Sequence, residues 1–156
     1  MILSFQQTVI GRIGIATSRD AITNLYFATD DNIPQNAEIR ETELIREAFQ
    51  QLHTYFLGKL RTFSLPLAPS GTPFMHRVWE QLCNIPYGST ASYKEIATAT
   101  GNPCAARAVG MANHRNPIPI FIPCHRVVGS NGNLTGYRSG LCLKKVLLEL
   151  EQKKGG

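Results

Sequence analysis

Residues 92–114 read Ser-Tyr-Lys-Glu-Ile-Ala-Thr-Ala-Thr-Gly-Asn-Pro-Cys-Ala-Ala-Arg-Ala-Val-Gly-Met-Ala-Asn-His. Ser92 and Glu95 stand at capping-box spacing, which lets each side chain satisfy a backbone amide at the start of a helix. The stretch predicts a helix from Tyr93 to about Thr100, stopped by Gly101. Asn102-Pro103 then starts a second helix at once. Two short helices joined by a Gly-Asn-Pro turn form either a helix-turn-helix or a plain helical hairpin that binds nothing. In the second helix Ala105, Ala108, Val109 and Ala112 recur at core spacing. The opposite face carries Arg107, Met111 and His114, flanked by Ala106, Gly110 and Asn113. A solvated face would carry Glu, Lys and Gln. Small residues around one long cation suit close approach, either to another helix or to the groove of a duplex.

Upstream, Thr72-Pro73 pairs a capping residue with proline in the first turn. Phe74, Met75, Val78, Trp79 and Leu82 give that helix its buried stripe, and Ile85-Pro-Tyr-Gly88 ends it. Leu65 to Pro73 is a linker by composition. Before it lie strand-like residues 1 to about 30, with Val9, Gly11, Ile13 and Ile15 on one parity and a turn at Ser18-Arg19-Asp20. Ile22 to Phe27 reads as a further strand and Thr29 to Asn36 as a loop. Leu44 to Phe56 then has helical spacing, with Gly58 as a C-terminal cap. The fold class is α+β, with a small N-terminal α/β domain over 1–68 and a mostly helical domain over 69–156. The last helix begins near Ser139, with Leu143, Val146, Leu147 and Leu150 as its stripe.

The chain has 156 residues and a formal net charge of +5, which favours an acidic partner or marks a merely basic enzyme. Its Lys and Arg are scattered, which excludes a polybasic tail. Cys83, Cys104, Cys124 and Cys142 show no metal-site spacing, so no structural metal is expected. The N-terminus lacks the pattern of a signal peptide and no apolar run matches a membrane span. These features point to an intracellular protein with reduced thiols.

Residues 116–128 read Asn-Pro-Ile-Pro-Ile-Phe-Ile-Pro-Cys-His-Arg-Val-Val. A thiol and an imidazole side by side, ending an apolar run, either close a turn or do chemistry. A free cysteine is mostly protonated at neutral pH, so a nucleophilic one needs a base, and the base needs an orienting acceptor. Cys124, His125 and Glu151 supply those types. Glu151 lies late in a helix, where the macrodipole disfavours a carboxylate, so it is either solvated or held by an internal partner. Neighbouring side chains on a strand diverge, so His125 serves Cys124 only across a turn or through a water.

Pro123-Cys-His-Arg-Val127, preceded by Asn116-Pro, resembles the active-site signature of the O6-alkylguanine-DNA alkyltransferases. Tyr87-Gly, Ser92-Tyr93, Gly101-Asn-Pro, Arg107-Ala-Val-Gly110, Gly136-Tyr-Arg138 and the Leu-x-Lys-Lys-x-Leu-Leu-x-x-Glu151 ending fall in order. The resemblance is dense over about 72 to 152. It implies a ribonuclease H-like N-terminal domain and a winged-helix-like helix-turn-helix after it. It implies a single-turnover methylated-DNA–protein-cysteine methyltransferase acting on O6-alkylguanine, and on O4-alkylthymine, in double-stranded DNA. The damaged base is flipped out and its alkyl group moves irreversibly to Cys124. By the same resemblance His125 takes the thiol proton through a water, Glu151 holds His125, and Asn116 braces the turn before Cys124. Tyr93 becomes a donor to the base and a wedge at the phosphate, and Arg107 fills the vacated stack. Lys94, Asn102, Ala106, Gly110 and Ser130 fall on the DNA side, while Tyr137 and Arg138 close the pocket. Pro119 and Ser139 set its width, which leads to the expectation that a benzyl group is accepted. No cofactor, membrane or obligate protein partner is implied. The location is cytoplasmic in a bacterial-type cell, nuclear in a eukaryote.

Asn113, Met111 and Ser139 differ from some relatives, which bears on alkyl-group range. Three rivals remain. A damage sensor lacks an acceptor thiol, a helix-turn-helix regulator reads the major groove with polar side chains, and a cysteine hydrolase needs an oxyanion hole.

Overall fold

The computed structural model describes residues 1–155. The chain divides into two compact units, Met1–Ser70 and Gly71–Gly156. In the first, β1 (Ile2–Thr8), β2 (Gly11–Ser18) and β3 (Ala21–Phe27) form an antiparallel meander. A two-residue strand, β4 (Glu38–Ile39), pairs parallel with β1, giving the order β3-β2-β1-β4. Ile13 and Ile15 pair with Phe27 and Leu25 on one face. Helix α1 (Glu43–Phe56) buries Ile45, Phe49 and Leu52, and its His53 hydrogen-bonds Gln6 across from Ile13. The other face packs Leu3, Ala16 and Tyr26 with Phe5 and Ile33.

Two expectations need correction here, for Val9 and for the early linker, while the one for Gly58 holds. Val9 does not continue the buried parity. It sits at the hairpin tip, 79% exposed, where Thr8 closes the turn by donating to Gly11 O at 2.7 Å. Gly58 follows the α1 cap residue Leu57 at φ 75°, a left-handed position that suits glycine. The early linker is not free chain. Ile22 N donates to Pro66 O and Ala68 N to Ile22 O, both at 2.8 Å, so residues 66–68 extend the β3 edge.

The second unit is mostly helical. Helix α2 (Pro73–Cys83) is capped by the Thr72 side chain and buries Val78, Trp79 and Leu82. Helix α3 (Tyr93–Ala99) carries the expected capping box in both directions. Helix α4 (Ala106–His114) begins later than Asn102-Pro103 suggests. Asn102 Oδ1 accepts from Cys104 N at 3.0 Å, and Ala105 N donates to Asn102 O at 3.0 Å. This local turn competes with helix and pushes the start back. The buried face of α4 is Val109, Ala112 and Asn113. Ala108 is exposed, and Asn113, expected beside the outer face, is inside. Trp79 Nε1 donates to Ala112 O at 2.9 Å and fixes α4 on α2. Two short strands, β5 (Ala91–Ser92) and β6 (Val127–Val128), pair in parallel. Helix α5 (Leu141–Gly155) starts after left-handed Gly140 rather than at Ser139.

Trp79→Phe removes this indole donor and leaves the buried Ala112 carbonyl unpaired. A loss of about 2 kcal/mol is expected, read as a lower urea midpoint with an unchanged slope.

Candidate functional site

Three prolines, Pro117, Pro119 and Pro123, deny the run before Cys124 the donors of a regular strand. The run is therefore a tight buried loop and not the strand the apolar composition suggests. Ile122 N donates to Ile118 O at 2.9 Å. Ile120 takes φ 73°, a strained position for a β-branched residue. Asn116 holds the loop from both sides. Its Nδ2 donates to Ile122 O at 2.8 Å, and its Oδ1 accepts from Ile118 N at 3.0 Å. Cys124–Arg126 then form one turn of 3-10 helix, all three buried.

That turn sends His125 toward α5. His125 Nε2 lies 2.8 Å from Glu151 Oε2, with both side chains buried. Arg126, quoted in the motif without a role, grips the same carboxylate. Its Nε donates to Oε1 and its Nη2 to Oε2, each at 2.9 Å. Its Nη1 donates to Ile85 O at 2.8 Å. Glu151 is an ionised acceptor beside Arg126, so the Nε2 facing it carries the proton. His125 Nδ1 is then a bare acceptor, and it is buried with no hydrogen-bond partner among the described residues.

Burial dominates the titrations. It lowers His125 below its ordinary 6.5, outweighing the hydrogen bond and charge of Glu151 that pull it up. Burial also raises the Cys124 thiol above 9.0, against weaker pulls from an Asn116 hydrogen bond and from Arg138 and Lys144. The resting pair is a neutral imidazole and a protonated thiol.

Lys144 is a buried neighbour of Cys124 that sequence reasoning missed. It is fully buried, and Nζ donates to Val127 O at 2.5 Å and to Thr135 O at 2.7 Å. Desolvation lowers its pKa from 10.5 to about 8, while Cys124 pulls it up. Its signal was spacing, because Lys144, Leu147 and Glu151 fall on one helical face at i, i+3 and i+7. Val146, assigned to that stripe, is 49% exposed.

A narrow recess of about 10 Å³ lies beside Cys124, lined by Asn113, Asn116, Pro119, Tyr137 and Arg138 among others. Arg138 Nη1 donates to Asn116 O at 2.9 Å, tying the loop after β6 to the Cys124 loop. Thr135 Oγ1 donates to Tyr93 Oη at 2.9 Å from the same loop. Ser139 adjoins these residues and is half-buried, but it does not line the recess. Gly110 lies against the Tyr93 ring, where a Cβ would stand 3.8 Å away, and Ala106 is half-buried. Lys94, Asn102, Arg107, His114, Arg115 and Ser130 are exposed. Arg107 stands in the first turn of α4. Cys83, Cys104 and Cys142 are exposed too, so Cys124 is the buried thiol of the four. Among the described residues no cluster of three or more His, Cys, Asp or Glu is placed to hold a metal. No helix among them is long and apolar enough to cross a membrane.

Two family descriptions match the chain. "6-O-methylguanine DNA methyltransferase, ribonuclease-like domain" covers residues 1–69, and "6-O-methylguanine DNA methyltransferase, DNA binding domain" covers 73–153. The chain belongs to the 6-O-methylguanine DNA methyltransferase family. The methylated-DNA–protein-cysteine methyltransferase of Methanosarcina barkeri is 60% identical over 149 residues, 94% of each chain. The constitutive enzyme of that name from Bacillus subtilis is 48% identical, over 94% of this chain and 92% of its own. The Mycobacterium tuberculosis OGT structure in complex with DNA superposes with a TM-score of 0.93 at 42% identity, covering 99% of this chain and 94% of that one. In a chain of this methyltransferase family, the buried Cys124 thiol stands next in sequence to the buried His125 imidazole.

Glu151→Gln leaves Arg126 buried without its counter-charge. It is expected to cost about 3–5 kcal/mol in chemical denaturation. His125 generates a pH dependence of definite sign. Its folded pKa is below 6.5, so in the acid range the unfolded chain binds the proton first and stability falls with pH. The unfolding midpoint is expected to drop between about pH 7 and about pH 5, and His125→Asn to remove part of that slope.

Proposed function

We propose that the protein repairs DNA by moving the alkyl group of O6-alkylguanine, and of O4-alkylthymine, onto Cys124, irreversibly and once per molecule. What supports this most is the buried Cys124 thiol beside a neutral His125 whose far nitrogen is held by Glu151, in a chain of this methyltransferase family. Residues 1–68 form the N-terminal domain of this reading, and 69–156 bind DNA and accept the alkyl group. Its partner is double-stranded DNA carrying alkylated bases, and its location is the cytoplasm in a bacterial-type cell and the nucleus in a eukaryote.

The thiol gives its proton, through a water, to His125 Nδ1. The imidazolium is stabilised by Glu151, which already accepts at Nε2. Arg126 fixes both carboxylate oxygens, so the acceptor cannot swing away. The sulfur forms a bond to the alkyl carbon as the carbon–O6 bond breaks, and the electron pair leaves with guanine. Tyr93 supplies a proton to the departing purine. Its hydroxyl accepts from Thr135, so its own hydrogen remains available to donate. One proton leaves the thiol and one is gained by the base, so the transfer balances without a cofactor. The S-alkylcysteine formed is a thioether with a poor leaving group on an unactivated carbon, so water does not discharge it and the reaction stops there.

Reaching Cys124 requires the base to leave the stack, which costs a few kcal/mol. Arg107, exposed at the start of α4, fills the gap. Ala106 and Gly110 keep the helix surface low enough for minor-groove entry, where little sequence is read. Lys94 and Arg115 contact phosphates, and the loop carrying Tyr137 and Arg138 covers the base.

Intact mass after mixing with a methylated duplex tests this. The wild type is expected to gain one methyl group, mapped to the Cys124 peptide, and Cys124→Ala to bind DNA and gain none. Label on Cys83, Cys104 or Cys142 would overturn the assignment. Arg107→Ala is expected to slow transfer from duplex by at least about tenfold while leaving reaction with free O6-alkylguanine near wild type. Equal loss on both substrates would place Arg107 in folding or in the pocket.

A further inference from the structure

Thr135 is exposed, yet it is held at three points. Its backbone oxygen accepts from the buried Lys144 Nζ at 2.7 Å, and the same ammonium holds Val127 O in the strand that follows the nucleophile. Its methyl group lies on the Gly129 side, where a Cβ at residue 129 would stand 3.8 Å from Thr135 Cγ2. Its hydroxyl donates to Tyr93 Oη at 2.9 Å, across 42 residues of chain. A β-branched side chain has few χ1 states, so a methyl placed toward Gly129 fixes where the hydroxyl points. The loop itself is closed by a bond from Gly129 N to Asn133 O at 2.9 Å. Tyr93 is held from a second side, because its ring lies against Gly110 of α4.

An exposed hydrogen bond between two hydroxyls adds little stability, because water competes for both partners. Its effect here is on direction. A phenol has one hydrogen, which rotates, and it accepts through its lone pairs. With Thr135 donating, one acceptor site of Tyr93 Oη is filled and the phenol hydrogen is turned elsewhere. Accepting a hydrogen bond also polarises the phenol O–H and strengthens it as a donor. A water in the same place would polarise it too, but would hold no fixed direction. We propose that Thr135 is a positioning residue for alkyl transfer: its hydroxyl, fixed through Lys144 and Gly129, sets the Tyr93 hydroxyl to donate to the departing purine. This rests on the alkyl-transfer reading above and adds to it a residue that acts on the leaving group through Tyr93. The Lys144 ammonium then serves both ends of the displacement, the strand after Cys124 through one carbonyl and the donor side through the other.

Single-turnover rate constants on a duplex carrying O6-methylguanine, at saturating protein, test the proposal, with DNA affinity and urea midpoints measured on the same proteins. Thr135→Val keeps the shape and the backbone carbonyl and removes only the hydroxyl. It is expected to slow transfer about fivefold, the factor that one hydrogen bond corresponds to. DNA affinity and the urea midpoint are expected to stay at wild type. Thr135→Ser restores the hydroxyl without the methyl that aims it, and is expected to recover most of the rate. Tyr93→Phe keeps the ring, and is expected to slow transfer at least as much as Thr135→Val. The double variant makes the decisive comparison. A residue that acts only through the Tyr93 hydroxyl has nothing left to act on in Tyr93→Phe, so adding Thr135→Val is expected to slow that protein no further. Wild-type speed in Thr135→Val or in Tyr93→Phe would overturn the proposal. Losses that multiply in the double variant would also overturn it, and would place the effect of Thr135 elsewhere in the loop. A serine variant as slow as the valine one, or a loss confined to DNA affinity, counts against it equally. Absence of methyl transfer in the wild type is a different result, which sinks the alkyl-transfer reading itself.

Discussion

The second unit depends on one buried carboxylate. Glu151 accepts from His125 and twice from Arg126, and is 1% exposed. Arg126 carries the connection on to Ile85 O, beyond the C-terminal end of α2. One side chain thus ties α5, the 3-10 turn and the α2 terminus together. A carboxylate this deep stays ionised because a guanidinium meets both of its oxygens in fork geometry. With that charge satisfied, His125 can remain neutral and keep one nitrogen for a proton.

The same burial keeps the nucleophile quiet. Desolvation holds Cys124 as a thiol at neutral pH, although three other cysteines are exposed to oxidants and electrophiles. Reactivity then depends on events at the recess and not on standing thiolate. For a protein that uses each molecule once, a silent thiol is worth more than a fast one, because every stray reaction removes a molecule from service. Lys144 adds a buried cation nearby without pairing to the sulfur. It spans Val127 O and Thr135 O, and so couples the loop after β6 to the segment that follows the nucleophile.

Much of this was legible in the residues. The α3 capping box, the Thr72 cap and the outer face of α4 were local patterns and formed as local patterns. The motif around Cys124 showed its chemistry by composition. What it hid was contact. Arg126 stood in plain view, but adjacency does not tell which carboxylate a side chain reaches 25 residues away. Asn113 was placed beside the outer face of α4 and Lys144 was given no place at all, when long-range hydrogen bonds take both inside. β4, β5 and β6 are two residues each, too short for any period to show. The start of α4 was misplaced because Asn102 can cap a helix or close a turn, and here it closes a turn with Cys104 N and Ala105 N.

The position of Glu151 in the last turns of α5 has a consequence for local motion. A helix end usually opens and closes freely, and its amide hydrogens exchange with solvent almost at once. Here, opening the turn around Glu151 would strand His125 and Arg126 in an apolar interior. These buried hydrogen bonds make that helix end costly to unravel, and amides around Glu151 are expected to exchange on the slow timescale of the surrounding core. The order of this terminal segment and the geometry around His125 rest on the same hydrogen bonds, so an isotope label at one end of the helix reports on both.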